Sequence, residues 1–309
     1  MAEQVANGRA GRGHAVARAC GVAVVAAGAV AGTVAVRAIR RSDVHLVRTA
    51  SGPALVRTVS DPDGVPVRVF QQGGVFQSAT YLDERRFEPV FTYYRGFDAM
   101  FEAEGAMRSR TNHGIRRVLM FGGGGYAYPK HLLTSRSNVR LDVVEIDPAV
   151  TEVARRWFFL GELKLRLANP ALAQGNELSI YTADGRSYLE AAGLRGARYD
   201  AIVNDAFEGC APVRRLATVE AVRLAKARLT LGGLYLVNVV SEDGGEDLSF
   251  LRDEVATLRQ AFRNVYILDV TDERFGWEAN YLVIATDGAY TFPESIPYDE
   301  EFLGRVLSD

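Results

Sequence analysis

The sequence predicts an α/β fold: a mostly parallel seven-stranded sheet with an antiparallel edge hairpin, preceded by a small antiparallel β domain. Five short apolar runs alternate with helical segments between residues 117 and 262, as parallel strands covered on both faces do. A glycine-rich turn follows the first of these runs. Two more β-prone runs follow the last helical segment, and they predict the edge hairpin.

The chain divides into three predicted regions. Residues 1–42 form an N-terminal extension, residues 43–90 form the small β domain, and residues 91–309 form the α/β domain. In the small domain, turns rich in glycine, proline and aspartate separate four β-prone runs. These runs cover residues 45–48, 54–59, 65–71 and 75–83.

The N-terminal extension contains an uncharged stretch at residues 19–36, bounded by Arg18 and Arg37. Its length is at the lower edge for crossing a bilayer, and its Ala, Val and Gly composition is only weakly apolar. Three interpretations stay open: a single membrane anchor, a disordered or loosely helical extension, and a cleaved signal peptide. We expect the large domain in the cytoplasm, anchored to the membrane by one N-terminal helix if this stretch spans it.

Composition excludes two kinds of partner. The net charge is −2 and the basic residues are scattered, so we expect no nucleic acid. Cys20 and Cys210 are the only cysteines, which is too few for a disulfide framework or a cysteine metal cluster. We therefore expect no metal.

The elements of the large domain follow in order. A helical pattern covers residues 91 to about 110. The parallel strands are predicted at residues 117–121, 141–146, 178–182, 199–204 and 234–240. The helices are predicted at residues 127–135, 148–159, 185–192, 218–230 and 246–262, and the edge strands at residues 264–270 and 280–286.

The glycine turn carries the first functional signal. Gly122, Gly123 and Gly124 let the backbone turn sharply and approach a ligand closely, because no Cβ intervenes. Glu145 ends the next strand, 23 residues after Gly122, near the offset of about 20 expected for an acid that binds ribose. No Gly-Lys-Ser or Gly-Lys-Thr follows, which excludes a P-loop. The pattern predicts a nucleoside cofactor.

Acidic residues also follow the third and fourth strands, at the sheet edge where ligands of such folds bind. Asp184 can accept the exocyclic amine of adenine while the backbone of Gly185 meets the ring; its alternative role is to cap the next helix. Asp205 is the predicted catalytic residue, because a carboxylate there can orient a nucleophile and take up its proton. Its alternative is a strand-end turn acid. Glu208 can assist it or face solvent.

Four motifs together resemble the spermidine synthase (polyamine aminopropyltransferase) family: Gly-Gly-Gly-Gly-Tyr, Val-Val-Glu-Ile-Asp, Ala-Asp-Gly-Arg-Ser-Tyr-Leu and Tyr-Asp-Ala-Ile-Val-Asn-Asp-Ala-Phe. The likeness covers about residues 65–290 and includes Gln77, which it adds to the cofactor-binding residues. It implies a Rossmann-like class I methyltransferase fold for residues 91–309. The implied co-substrate is S-adenosylmethionine or its decarboxylated form, bound by Glu145 and Asp184, with Asp205 as the catalytic acid.

Two departures from the family's motifs concern the reaction. The family's loop reads Gly-Gly-Gly-Asp-Gly, and its Asp, which holds the aminopropyl amine, is Gly125 here. The family's Tyr-His-Glu segment corresponds to Tyr93-Tyr94-Arg95, so Tyr93 is kept and Glu becomes Arg95, which can accept an anion. Together with Glu208, Tyr93 and Arg95 are the predicted substrate-binding residues.

The sequence leaves three functions open. The family resemblance implies aminopropyl transfer to a polyamine. Gly125 and Arg95 favour S-adenosylmethionine-dependent methyl transfer to an unknown, anionic acceptor instead. The third function is a catalytically silent binding module tethered to a membrane. The expected partner is a small-molecule acceptor, and a membrane contact through residues 19–36 and a homodimer stay open.

Overall fold

A computed structural model of the chain describes residues 43–112, 114–194, 196–208, 211–241, 246–272, 274 and 279–309. The N-terminal extension with its candidate span at residues 19–36, both cysteines and His113 lie outside these ranges. None of the helices within them combines the length and the hydropathy that crossing a membrane requires.

The small β domain is a four-stranded antiparallel sheet in the order β1-β2-β3-β4. Alternating side chains from its strands, such as Val56, Val67 and Val69, are fully buried. Gly73 and Gly74 both have positive φ, +60° and +90°, which suits the two-residue turn between the last two strands. The strands are β1 (Val44–Thr49), β2 (Gly52–Ser60), β3 (Pro66–Gln72) and β4 (Val75–Tyr81).

The helical segment after this sheet is divided into three pieces, where the sequence predicted one pattern over residues 91–110. They are α1 (Tyr93–Gly96), a 3₁₀ helix (Phe97–Ala103) and α2 (Glu104–Thr111). Phe97, Met100 and Ala103 are buried at a spacing of three, the period of a 3₁₀ helix. A Cβ on Gly96 would lie 2.6 Å from Val270 Cγ1, so the segment packs closely against the end of the large sheet.

The large sheet has seven strands, which lie in the order β12 (Asn264–Asp269), β13 (Ala279–Thr286), β11 (Leu229–Ser241), β8 (Tyr199–Asn204), β5 (Arg117–Phe121), β6 (Arg140–Glu145) and β7 (Glu177–Thr182). The five from β11 to β7 are parallel, and β13 runs antiparallel to both β11 and β12, which confirms the predicted fold class. A short antiparallel pair, β9 (Phe207–Glu208) and β10 (Ala211–Pro212), follows β8.

Helices cover both faces of this sheet. The helix predicted at residues 148–159 ends at Trp157, because Phe159 adopts a left-handed φ of +61° and a new helix begins at Leu160. The sequence did not predict this helix or the two short helices α6 (Pro170–Ala173) and α8 (Arg214–Ala217). The helices are α3 (Ala127–Ser135), α4 (Pro148–Trp157), α5 (Leu160–Ala168), α6 (Pro170–Ala173), α7 (Gly185–Leu194), α8 (Arg214–Ala217), α9 (Val219–Arg228) and α10 (Ser249–Arg259), with a final 3₁₀ helix at Glu300–Phe302.

The fold positions the site by bringing strand ends together. All six residues of β8 are buried, and β8 lies between β5 and β11 in the middle of the sheet. At its end the backbone N–H of Asp205 donates to the carbonyl of Phe121 (3.0 Å), and the N–H of Gly122 donates to the carbonyl of Val144 (3.0 Å). The residues after β5, β6 and β8 therefore share one edge.

Candidate active site

A pocket lies where the carboxyl ends of β5, β6 and β8 face the small sheet. The small sheet contributes polar side chains to it, among them Thr49, Ser51 and Gln72. Seven of the residues predicted from the sequence line this one pocket: Gln77, Tyr93, Gly122, Gly123, Gly124, Glu145 and Asp205.

The glycine turn has a geometry that other residues cannot adopt without strain. Gly122 has a φ of +86°, and a Cβ on it would lie 2.2 Å from the carbonyl oxygen of Asp205. A Cβ on Gly123 would lie 2.8 Å from the ring of Tyr126. The turn therefore keeps the backbone against the end of β8 and leaves the pocket side open.

Glu145 is buried beside this turn. Its carboxylate accepts hydrogen bonds from the backbone N–H of Gly123 (2.8 Å), Gly124 (3.4 Å) and Asp147 (2.9 Å). Burial raises the pKa of Glu145, and these backbone donors oppose the rise. Each carboxylate oxygen can accept more than one hydrogen bond, so Glu145 keeps acceptor capacity toward the pocket.

Asp147 joins the two sheets at the pocket rim. One of its carboxylate oxygens caps α4 through the N–H of Ala149 (2.8 Å), with Pro148 at the first helical position. The other accepts the N–H of Ala50 (2.5 Å) in the turn between β1 and β2. That turn is thereby fixed over the pocket.

Asp205 lies at the end of β8 between two donors. The side-chain amide of Asn238 donates to it (2.8 Å), and so does the hydroxyl of Tyr93. Burial raises the pKa of Asp205 to about 7, and the hydrogen bonds from Asn238 and Tyr93 oppose that rise. A carboxylate with this pKa can exchange a proton near neutral pH, as a general base must.

Tyr93 is held in place by other aromatic rings. It stacks on Tyr94 with ring centroids 4.1 Å apart and meets Phe97 edge-on at 6.2 Å. Burial raises the pKa of Tyr93 well above its ordinary value, and the nearby charge of Asp205 raises it further. Tyr93 therefore stays protonated and acts as a hydrogen-bond donor.

Asp184 and Gly185 lie at the same sheet edge but do not line the pocket. Asp184 caps α7: one carboxylate oxygen accepts the backbone N–H and the hydroxyl of Ser187 (2.9 and 3.0 Å). Its other oxygen lies 3.6 Å from the guanidinium of Arg215. The alternative role predicted for Asp184, the helix cap, is the one seen in its contacts.

Arg95 and Glu208 also lie outside the pocket, unlike the acceptor contacts expected of them. Arg95 is 48% exposed and pairs with Glu88 (3.3 Å), because Tyr94 and Phe97 take the buried side of the segment. Glu208 is exposed on the short β9 strand, whereas its neighbour Phe207 lines the pocket. The sequence could not predict which side chains of this short helical segment face the core.

The charge of the pocket has one sign. Glu145, Asp147 and Asp205 line it, whereas the described lining residues include no Lys, Arg or His. Such a site attracts cations and disfavours anions. Within the described ranges, no three His, Cys, Asp or Glu side chains are grouped in a way that could hold a metal ion.

Sequence reasoning missed Asn238. It is 4% exposed, on β11, in the run Leu-Val-Asn-Val-Val. A single amide inside a buried apolar strand needs a hydrogen-bond partner, and that signal could have placed it beside an acid from the neighbouring strand. Tyr94, which also lines the pocket, was considered only as a replacement for the family's His.

Two curated relatives match about half of the chain. A polyamine aminopropyltransferase of Vibrio vulnificus is 31% identical over 157 residues, which are 51% of this chain and 47% of that protein. The eEF1A lysine and N-terminal methyltransferase of Mus musculus is 29% identical over 167 residues, which are 50% of this chain and 21% of that protein. The chain thus spans about half the length of the first relative and less of the second.

Solved structures support the fold. A probable spermidine synthase from Corynebacterium glutamicum aligns with a TM-score of 0.58 at 21% identity, covering 80% of this chain and 81% of that one. A spermidine synthase from Thermotoga maritima aligns with a TM-score of 0.57 at 18% identity, covering 80% and 73%. Residues 105–273, more than half of the chain, match the spermine/spermidine synthase domain. The chain therefore belongs to the spermine/spermidine synthase family of transferases.

Proposed function

We propose that this chain transfers an aminopropyl group from decarboxylated S-adenosylmethionine to an amine acceptor. The proposal draws on the family and on relatives named polyamine aminopropyltransferases. It draws equally on the chemistry of the pocket. The acidic lining around Asp205, which contains no basic residue among the described ones, is the observation that carries it.

The pocket suits a cationic nucleoside co-substrate. The turn at Gly122–Gly124 has no Cβ atoms, so a ligand can approach its backbone closely, and a Cβ on Gly122 would collide with the carbonyl oxygen of Asp205. Glu145 would accept the ribose hydroxyls, and Gln77 lines the same pocket. Asp184 and Gly185 would meet the adenine, while Asp184 keeps its capping role.

The co-substrate supplies a carbon made electrophilic by the neighbouring sulfonium. Asp205 would orient the acceptor amine and take the proton that nitrogen loses as its bond to that carbon forms and the carbon–sulfur bond breaks. Tyr93, held by its ring contacts, would keep the carboxylate aimed into the pocket. Holding the two reactants in line supplies much of the rate in such a reaction.

The two forms of the co-substrate differ in charge. The decarboxylated form is a cation at both its amine and its sulfonium. Intact S-adenosylmethionine also carries a carboxylate, which would need a donor. No described lining residue is basic, and the N–H groups of Gly123 and Gly124 already donate to Glu145. The pocket thus favours the decarboxylated form.

The test is calorimetric titration of the full chain with both forms, followed by product analysis with diamine acceptors. We expect tighter binding of the decarboxylated form and an aminopropylated product. Glu145→Ala should weaken binding, whereas Asp205→Asn should bind and not turn over. Equal affinity for both forms, or binding without product from any amine, would overturn the proposal; the second result would favour the silent module.

Methyl transfer is the second candidate, and Gly125 favours it. A Cβ at this position would lie 2.5 Å from the hydroxyl of Ser78 and 2.8 Å from the ring of Phe158. The Asp that the family places there to hold the aminopropyl amine would therefore not fit without a shift. One relative is itself named a methyltransferase. Mass analysis of the product distinguishes a methyl from an aminopropyl group.

A further inference from the structure

The acid that we assign as the base is connected to the edge hairpin by two asparagines. The amide nitrogen of Asn238 donates to Asp205 (2.8 Å), and the amide nitrogen of Asn280 donates to the side-chain oxygen of Asn238 (3.2 Å). Asn280 lies on β13 opposite Val240 of β11, so it is the diagonal neighbour of Asn238 on the same face. The two amides therefore form a series of hydrogen bonds in which Asn280 donates to Asn238 and Asn238 donates to the carboxylate of Asp205.

The direction of these hydrogen bonds matters because a side-chain amide has an NH₂ group that donates and an oxygen that accepts. The NH₂ end of Asn238 can pair with ionised Asp205, whereas its oxygen can meet Asp205 only when the acid is protonated. By donating to that oxygen, Asn280 holds it away from Asp205. Without Asn280, no hydrogen bond would hold the oxygen of Asn238, and the amide could rotate by 180° so that this oxygen faced Asp205.

Asn280 is well placed for this task. Its backbone N–H donates to the hydroxyl of Thr271 (3.1 Å), and its carbonyl accepts the N–H of Val270 (2.9 Å). These contacts fix the start of β13 against the end of β12. The side chain itself does not line the pocket, so it acts on the reaction only through Asn238.

Other groups also act on Asp205. Tyr93 donates to it from α1, and Tyr94 lies near it on the same helix. Glu145 and Asp147 line the same pocket and add negative charge. Loss of the Asn238 donor would therefore leave Tyr93 as the remaining hydrogen-bond donor among these described groups.

We propose that Asn280 is a positioning residue for the transfer reaction, which fixes the amide of Asn238 so that its NH₂ group faces Asp205. This orientation favours the ionised form of the carboxylate and directs it into the pocket. This inference rests on the proposed role of Asp205 as the base. It adds a residue that touches neither reactant.

The first test is the pH profile of turnover for Asn280→Ala. A hydrogen bond to a charged group is worth roughly one pKa unit or more, so we expect the acid limb to move up by about one pH unit. At pH values below the acid limb, turnover should then be about tenfold lower than in the wild type, and at pH 9 it should change little. Asn280→Asp should move the limb further, because an ionised carboxylate accepts the Asn238 NH₂ group and adds negative charge.

Asn264→Ala is the matched control. Asn264 lies on β12 of the same hairpin and donates to the carbonyl of Gly288 (2.8 Å), away from Asp205. Its profile should keep the wild-type limb. Equal loss of turnover at every pH in Asn280→Ala would assign a merely structural role to Asn280 and overturn the proposal.

A second readout needs no turnover. Carbon-13 NMR titration of the Asp205 carboxyl, assigned by its absence in Asp205→Asn, gives the pKa directly in the full chain. A higher pKa in Asn280→Ala supports the positioning role even if no acceptor is ever turned over. An unchanged pKa overturns it, even if the enzyme proves to be an aminopropyltransferase.

Discussion

Replacing Asp205 by Asn tests the site in two independent ways. Burial raises the pKa of Asp205 from its ordinary 3.8 to about 7. Folding therefore favours the protonated acid, and the ionised form destabilises the fold. The stability contribution of the neutral acid is fully present below pH 3.8 and is lost as the pH rises through 7.

The magnitude follows from the same pKa. Each pKa unit corresponds to 1.36 kcal/mol, so the raised pKa of Asp205 lowers the free energy of unfolding, relative to a side chain that does not titrate, by about 4 kcal/mol at pH 8 and about 1 kcal/mol at pH 4.5. The amide introduced by Asp205→Asn would keep an oxygen that accepts from Asn238 and would not ionise. We therefore expect this variant to be strongly stabilised at pH 8 and weakly stabilised at pH 4.5, while turnover falls about 10²- to 10⁴-fold.

Urea unfolding of the full chain at the two pH values measures the first effect. Glu208→Gln is the control, because Glu208 is an exposed acid three residues away and should change stability by less than about 0.5 kcal/mol. A stability gain in Asp205→Asn that is the same at pH 4.5 and pH 8 would refute the argument from burial. Unimpaired turnover would remove Asp205 from the mechanism.

Three further predictions concern single residues. Gly122→Ala should destabilise the fold by more than about 2 kcal/mol and abolish cofactor binding in calorimetry. Gly124→Ala is its control and should cost about 1 kcal/mol, because its Cβ would meet its nearest atom at 3.6 Å. Equal effects of the two substitutions would contradict the close approach at Gly122. Glu254 is fully buried, neither of its carboxyl oxygens has a hydrogen-bond partner among the described residues, and burial raises its pKa to about 8. Stability from its neutral form is therefore lost between pH 4.5 and 8, and Glu254→Met should raise the urea midpoint more at pH 8.5 than at pH 5; a pH-independent change would exclude this reasoning. Arg95→Ala should leave the acceptor KM within about twofold, because Arg95 is exposed and outside the pocket; a large rise in KM would return it to the acceptor site.

The central strands could be predicted from the sequence because near-continuous apolar runs of five or six residues are typical of parallel strands covered on both faces and are short for a helix. The predictions at residues 117–121 and 199–204 coincide with β5 and β8. By contrast, β11 begins five residues before its predicted start at residue 234. Its pairing with β8 shifts register between Leu229 and Leu234, and the two glycines inside that irregularity hid the first part of the strand.

The acids of the site were predictable for a related reason. Parallel strands end at one edge, so a polar residue just past each apolar run is brought to that edge whatever the loops do. Glu145 and Asp205 followed from this rule. The position of Arg95 did not follow from this rule, because the direction of its side chain depends on where a short helix changes to a 3₁₀ helix. That change occurs where Gly96 packs against the end of the large sheet.

What motifs could not supply is the environment of the base. Asp205 comes from β8, but its two donors come from α1 and β11, and the residue that orients one of them comes from β13. These positions are spread over 188 residues, from Tyr93 to Asn280, with no shared spacing that a pattern could detect. Their arrangement decides whether the acid is ionised at neutral pH. Family motifs can therefore identify the acid, whereas its reactivity has to be argued from contacts between distant strands.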